Sequence, residues 1–485
     1  MPAASPFKHG ETPAVTRIII AQSAPGKGME SCPLPWIEYA MYQDTIAAIS
    51  TALGAGGIGI VRLSGPDALA IARRLFTGKL SHRRLSYGHI ADPETGERVD
   101  EVLAAFMTAP RTYTREDMVE INGHGGPAAL QHTLGLALRY GARLANPGEF
   151  TLRAFLNGRI DLAQAEAVAD LVGTRTASGL RLAVEGLGGR LSRRVGEVRG
   201  ELMSALADLS ARIDFPEDEV EGREVRDPLI KAHQALQELA GSADAGIAYN
   251  LGVRTAIVGR TNVGKSSLLN RLLDRDRAIV SPVPGTTRDT VEEVANIQGI
   301  PFVLVDTAGL RQGGDAVESL GVERSYRALD QADLVLLVID LSEPLMEEDR
   351  NIMVLLGDRA VVMAANKCDL PGRSDMGDLP WPVLPTSALT GRGLEELEAA
   401  MVDLALGGRV VASDALLVTS PRHRGALERA LQHLAQALDG LAGGLADDFI
   451  TIDLTAALDA LGEITGETVS EELLETIFSR FCIGK

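Results

Sequence analysis

From Asp44 onward, the spacing of apolar positions divides the chain into successive blocks. Ile58 to Leu63, Glu101 to Met107 and Met118 to Ile121 read as strands, and Pro66 to Leu75 and Pro127 to Arg139 as helices, an α+β pattern. Between Leu162 and about Leu239, Ala and Leu recur at helical spacing (LAQAEAVADLV, ELMSALADLSARI), with one acidic break from Asp214 to Glu224. From Val253 to about Leu406, strand-like and helix-like runs alternate, which predicts a parallel sheet. Helical text then returns in PRHRGALERALQHLAQALDGL and DLTAALDALGEITG. The expected fold class is therefore multidomain α/β: an α+β domain, then a helical domain into which an α/β domain is inserted. The boundaries expected are 41–157, 158–250, 251–409 and 410–485. Residues 1–40 show no sustained periodicity and are expected to be a disordered extension or a mispredicted start.

Composition narrows the function classes. The chain has 485 residues, 45% hydrophobic and 23% charged, so wholesale disorder is excluded. No apolar run approaches the ~20 residues a membrane helix needs, so no membrane association is expected. Three cysteines, Cys32, Cys368 and Cys482, are too few and too scattered for a disulfide framework or a zinc site, and point to a cytoplasmic location. Net charge is −19, which argues against a protein that grips nucleic acid through its overall field. The charge is uneven: +1 over 41–157, −5 over 158–250, −8 over 251–409 and −7 over 410–485.

The strongest chemical signal is GRTNVGKS, Gly259 to Ser266, between the strand-like VRTAIVG and the helical SSLLNRLL. A glycine-rich turn there aims backbone N–H groups and a helix N-terminus at phosphates. Lys265 would reach the β- and γ-phosphates, and Ser266 would hold Mg²⁺. Asp306, Thr307, Ala308 and Gly309 end the strand PFVLV, where a carboxylate can hold Mg²⁺ through water and Gly309 can sense the γ-phosphate. Asn366, Lys367, Cys368 and Asp369 end a second apolar strand. A carboxylate at Asp369 can accept from N1–H and the 2-amino group of guanine, a donor pair adenine lacks, so the base is guanine. Ser387, Ala388 and Leu389 resemble a loop supporting the base carbonyl. Together, in this order, the motifs specify GTP as substrate. Leu310 follows the DTAG glycine and cannot orient water, so catalysis must recruit another group. Asn262 could coordinate a monovalent cation beside the phosphates, or serve as a loop-stabilising amide. In Gly285-Thr286-Thr287-Arg288-Asp289, Thr287 is a Mg²⁺ candidate, and Arg288 is either a finger or a surface residue.

GRTNVGKSSLLN, PGTTRD, DTAGLR and the terminal Phe481-Cys482-Ile483-Gly484-Lys485 closely resemble the MnmE (TrmE) family of tRNA-modification GTPases, from Asp44 to the last residue. The resemblance implies an N-terminal folate-binding domain that forms a homodimer, a helical domain and an inserted P-loop GTPase domain. It implies that, with MnmG (GidA), an aminomethyl or carboxymethylaminomethyl group is placed on carbon 5 of the wobble uridine of certain tRNAs. It further implies K⁺ activation, with Asn262, Ser281, Val283 and Thr286 as K⁺ ligands. Val263, Gly264, Ser267, Pro282 and Pro284 complete the implied GTP-binding set. Lys265 and Thr287 are implied in catalysis, with Glu318 as the water-orienting group. 5-Formyltetrahydrofolate or a related reduced folate is implied on Arg62, Glu120, Arg159 and Lys485, with Cys482 as a possible functional thiol. Many members carry Lys where Arg159 stands, and a guanidinium fork is not equivalent to an ammonium point charge.

Two competing patterns have sequence-level discriminators. Gly54 to Gly59 fits G-x-G-x-x-G, but that fingerprint must open a helix, whereas IGIVRLSG reads as a strand. A ribosome-assembly GTPase of the Era or Der type would carry a KH-like RNA domain. The single GXXG after residue 410, Gly440 to Gly443, lies in helical text poor in cations.

Overall fold

A computed structural model describes residues 18–19, 44–214, 224–275, 293–306, 328–371, 379–408 and 418–485. Expected site residues Ser281, Pro282, Val283, Pro284, Gly285, Thr286, Thr287, Thr307, Ala308, Gly309 and Glu318 lie outside them, as does the side chain of Asp306. The chain divides into two compact units, residues 1–165 with 459–485, and residues 166–458.

The first unit is built on a six-stranded sheet. Its strands are β1 (Ile46–Ile49), β2 (Gly59–Ser64), β3 (Ser86–Ala91), β4 (Arg98–Met107), β5 (Met118–Gly123) and β6 (Arg143–Leu144), in the order β3-β4-β5-β2-β1-β6. Pairing is antiparallel except between β1 and β6. Alternation in β2 and β5 sends Val61, Leu63, Val119 and Ile121 into a core beneath α1 (Ala68–Leu75) and α2 (Pro127–Arg139). The opposite face packs Ile46, Ala48, Met118 and Ala145 around Phe150 of α3 (Glu149–Leu156). Register sets Arg62 of β2 directly across from Glu120 of β5. Gly59 opens a strand, as expected, and not the helix a dinucleotide fingerprint requires. The segment Ile18–Ile19 pairs antiparallel with Thr468–Val469.

One ion cluster fixes the edge of this unit. Arg153 is 1% exposed and donates to the Asp44 carboxylate (2.5 Å), to Glu116 (3.2 Å) and to Glu149 (3.0 Å). Arg143 closes the group with bonds to Asp44 and Glu149, both at 2.6 Å. Burial opposes ionisation of Glu149, yet bonds from Arg143, the Asn146 amide and Arg153 hold its carboxyl below the usual range. Asp44 follows the same pattern: burial raises it, and the two arginines lower it by more.

The second unit joins a helical part to an α/β part. Helices α4 (Leu162–Gly173), α5 (Ala177–Leu187), α6 (Arg190–Asp214), α7 (Arg226–Gly241) and α8 (Ala243–Leu251) precede the α/β part. The latter contains β7 (Val253–Val258), α9 (Lys265–Arg275), β8 (Glu293–Ile297), β9 (Ile300–Asp306), β10 (Leu334–Asp340), α10 (Glu347–Leu356), β11 (Val361–Asn366), β12 (Val383–Pro385) and α11 (Leu394–Ala405). Strand order is β12-β11-β10-β7-β9-β8, parallel except for the β8–β9 hairpin. Helix α12 (Pro421–Ala442) then packs on α7, and α13 (Asp447–Thr465) follows. Gly440 to Gly443 forms the end of α12, not a clamp loop between helices.

The chain enters the α/β part after Leu251, and beyond that part the described residues resume at Val418; the two stems are tied together. Asn250 donates to the Thr419 carbonyl at 3.3 Å, and the Val418 amide to the Ser242 hydroxyl at 3.1 Å. Beside them Glu166 accepts two bonds from Arg422 (2.9 and 2.8 Å) and contacts His423 at 2.6 Å. Burial raises the Glu166 carboxyl, but His423 and Arg422 bring it down to about 2. Asp170, one turn along, is pushed up to about 6, chiefly by burial. Among the described residues no helix is long and apolar enough to cross a membrane.

Removing Arg153 should strand carboxylates in a buried setting. Arg153→Met is expected to destabilise the first unit by about 3–5 kcal/mol, measured by urea unfolding of the full chain. The depressed carboxyls fix the sign with pH. The stabilisation is present above their ordinary pKa and lost as pH falls below it, so the variant and the parent should converge in acid. A loss below about 1 kcal/mol would show that Arg143 alone neutralises the group.

Candidate functional site

The nucleotide motifs meet at the carboxyl ends of β7, β10 and β11. The turn Gly259 to Gly264 leads from β7 into α9, and Lys265 is the first residue of that helix. Its ammonium donates to the carbonyls of Gly259 (2.6 Å) and Arg260 (2.7 Å), which holds it folded over the loop. Ser266 and Ser267 are exposed at the helix N-terminus, and Val263 is fully buried beneath the loop. Asn262 is exposed with φ +62°, a left-handed conformation that Asn adopts more readily than most residues. Asn366 joins the loops: its side-chain NH₂ donates to the Val263 carbonyl at 2.8 Å, and its oxygen accepts from the Ala388 amide at 3.0 Å. Gly264 has φ +97°, and a Cβ there would lie 2.3 Å from the Asn366 side chain. Only glycine allows this approach.

The base loop is equally tied. Ser387 is fully buried; its hydroxyl accepts from the Thr390 amide at 3.1 Å. Lys367, with φ +64°, pairs at 2.6 Å with Asp340, the last residue of β10. Burial opposes the Asp340 charge, but bonds from Lys367 and Ser342 outweigh it and hold the carboxyl below the usual range. Asp369 is exposed beside this pair, as a group reading an incoming base must be. Cys368 is half-buried against the core behind β11. Loop amides, the Lys265 ammonium, the Ser266 hydroxyl and the Asp369 carboxylate thus follow the carboxyl ends of β7 and β11.

The folate candidates converge in the first unit. Arg62 binds Glu120 through Nε (3.0 Å) and Nη2 (2.8 Å), and its Nη1 donates to the Gly484 carbonyl at 3.3 Å. Its guanidinium lies 5.8 Å from the Tyr113 ring centre and 5.7 Å from that of Phe150. Arg159 stacks 4.5 Å from the same tyrosine and donates to its carbonyl at 3.2 Å. The tail reaches this place because Phe481 is buried against Phe478 and the Gly148 amide donates to the Cys482 carbonyl. Gly484, φ +94°, passes so close to β1 that a Cβ would lie 2.5 Å from the Ile49 carbonyl. Cys482 is exposed and Lys485 half-buried at the end of this tail. A carboxylate, two guanidiniums and an aromatic face converge here.

Residues 162–482 match the family description "MnmE helical domain", and residues 45–159 match "GTP-binding protein TrmE N-terminus". The tRNA modification GTPase MnmE of Roseiflexus castenholzii is 51% identical over 92% of this chain and 100% of its own length. That of Chloroflexus aurantiacus is 52% identical over 91% and 100%. That of Acetivibrio thermocellus is 43% identical over 91% and 99%. The chain belongs to the MnmE family of tRNA modification GTPases.

Within this MnmE-family fold, Arg62 and Arg159 both lie against the Tyr113 ring, Glu120 pairs with Arg62, and the Gly484 carbonyl of the tail accepts from Arg62. Tyr113, Phe150 and Asp340 were not singled out from the sequence. Asp340 had a signal, since it ends the strand LVLLVID at the level where Asn366 ends the next one. Tyr113 had only its place in the charged run RTYTRED.

Asn366→Ala leaves a carbonyl and an amide without their shared partner. It is expected to destabilise the nucleotide region by about 1–3 kcal/mol and to speed release of a fluorescent GDP analogue at least about tenfold. Stopped-flow displacement checks this; an unchanged off-rate would reduce Asn366 to a loop spacer.

Proposed function

We propose that the chain is a Mg²⁺-dependent, K⁺-activated GTP hydrolase whose turnover serves tRNA modification. In this reading, with MnmG as partner, it adds an aminomethyl or carboxymethylaminomethyl group at carbon 5 of the wobble uridine. A reduced folate such as 5-formyltetrahydrofolate supplies the one-carbon unit, and the chain works as a homodimer in the cytoplasm. The observation that carries the hydrolase half is the Asn366 bridge, which gives the phosphate loop and the base loop one rigid geometry. Names of relatives 43–52% identical over almost their whole length support the tRNA half. The Arg62–Glu120–Gly484 contact supports folate in the first unit.

The residues present suit these ligands. Lys265 would leave the Gly259 and Arg260 carbonyls for the β- and γ-phosphates, exchanging two neutral acceptors for charged ones. Ser266, with Thr287, would hold Mg²⁺, which when bound neutralises charge developing on the phosphates. Asn262, with Ser281, Val283 and Thr286, would hold K⁺ in the place of an arginine finger. Glu318 would orient the attacking water that Leu310 cannot. Asp369 reads guanine, while Asp340 keeps Lys367 against the base loop. In the first unit Glu120 would accept from a pterin edge, and Arg62, Arg159 and Lys485 would offset the carboxylates of the glutamate tail. Domain boundaries at 157/158, 250/251 and 409/410 accompany this reading.

GTP hydrolysis is expected to be at least about tenfold faster in K⁺ than in Na⁺, and Asn262→Ala should erase the difference. Equal parental rates in the two salts would remove K⁺ from the mechanism. Nucleoside analysis of tRNA from cells lacking the chain should show wobble uridines without the carbon-5 group. Normal modification there would overturn the proposed function.

A further inference from the structure

The unit that carries the folate candidates has net charge +1 over residues 41–157, in a chain of −19. Its positive groups are not spread evenly. From Ala68 to Ala91 there is no acidic residue, while Arg73, Arg74, Lys79, Arg83 and Arg84 fall within it. The loop 108–117 adds Arg111 and Arg115, and both acids of that loop are used internally. Glu116 is taken by Arg153 and by the Ser64 hydroxyl (2.7 Å), and Asp117 accepts from the Ala109 amide (2.9 Å). The loop therefore presents cations outward and keeps its carboxylates inward.

Local contacts string four arginines along this loop. Arg83 donates to the Arg111 carbonyl at 2.6 Å, and its own amide holds the Phe106 carbonyl at 2.7 Å. The loop is closed by the Thr112 hydroxyl on the Glu116 carbonyl, 2.6 Å. Arg115 donates to the Asn157 carbonyl at 2.7 Å, two residues before Arg159, which lies on Tyr113 of the same loop. All four side chains are exposed, and among the described residues none forms an ion pair. A guanidinium bonded to a neutral carbonyl keeps its full charge and most of its five donors. Arg83 and Arg115 have φ +55° and +61°, conformations in which an arginine is disfavoured and glycine or asparagine is at ease. Backbone geometry alone does not call for arginine at either position.

We propose that Arg83, Arg111, Arg115 and Arg159 form a phosphate track that holds the RNA substrate's sugar–phosphate backbone and leads it to the folate site at Tyr113. The proposal rests on the tRNA reading above and assigns the RNA a place on this chain. Chemistry at a uridine carbon requires the RNA strand and the one-carbon carrier in one locality, and Arg159 belongs to both. Residues 158–250, 251–409 and 410–485 are each acidic and would repel a polyanion, so the sheet region 41–157 is the one that can receive it. Arginine forks bind phosphate bidentately, and Tyr113 offers a ring on which an unstacked base can lie.

The test is fluorescence-anisotropy titration of an unmodified tRNA transcript with the full chain at several salt concentrations. The triple variant Arg83→Gln/Arg111→Gln/Arg115→Gln is compared with the parent and with the corresponding triple Lys variant. The Gln variant should bind roughly tenfold more weakly near 0.1 M salt, with a salt slope shallower by about 2–3. The Lys variant should recover most of the slope. GTP hydrolysis and binding of monoglutamyl 5-formyltetrahydrofolate should stay at parental levels, which separates loss of the track from loss of the fold. Equal RNA affinity and slope in parent and Gln variant would overturn the track. So would a Gln variant that keeps RNA but loses a polyglutamyl folate, since the arginines would then serve the folate tail. A parent chain without salt-dependent RNA binding would bring down the tRNA reading itself, and the track with it.

Discussion

A buried guanidinium organises the first unit. Arg153 sits among the carboxylates of Asp44, Glu116 and Glu149, so three segments separated by up to 109 residues must meet at one point. Each segment brings something else with it. Asp44 precedes β1, which Gly484 crosses; Glu116 anchors the loop carrying Tyr113; Glu149 opens α3, which carries Phe150 to the side of Arg62. An ion in such a setting is costly unless every partner is in place, so the cluster tolerates one arrangement and rejects near alternatives. What it secures is less net stability than a fixed geometry for Arg62, Tyr113 and Phe150.

The nucleotide region reaches the same end with a neutral side chain. Asn366 has one donor group and one acceptor, and it spends them on two different loops. Displacing either loop breaks a bond in a dry environment, so the phosphate and base halves move as one body. The stems on which the α/β part hangs are also bound to each other, through Asn250, Thr419, Ser242 and Val418, with the Glu166–Arg422 pair beside them. The end of α8 and the segment at Val418 are therefore held to each other where the α/β part joins the helices.

Much of this was legible in the sequence, for identifiable reasons. Phosphate and base motifs are local: their spacing is fixed by one turn between a strand and a helix, so GRTNVGKS and NKCD announce themselves. Strands β2, β4 and β5 and helices α1 and α2 followed from periodicity. β1, β3 and β6 were not among the expected strands: β1 is an Ala/Ile run without alternation, β3 is half-exposed, and β6 has two residues. Arg153 looked like any charged residue in a short helix, because two of its three partners lie 37 and 109 residues away. The opposition of Arg62 and Glu120 is a matter of strand register, which hydrophobic pattern alone does not supply. The tail's position came from family resemblance, since no periodicity in FCIGK points to a sheet 420 or so residues earlier.

The contact between Arg62 and Gly484 spans 422 positions of the chain. During synthesis at about 5–20 residues per second, Arg62 is made roughly 20–80 s before the glycine whose carbonyl it binds. Until then Arg62 and Glu120 have each other but not the tail. The last residues thus act as a late latch: a product cut short before Gly484 keeps its sheet and its nucleotide motifs but never gains the carbonyl that Arg62 otherwise holds.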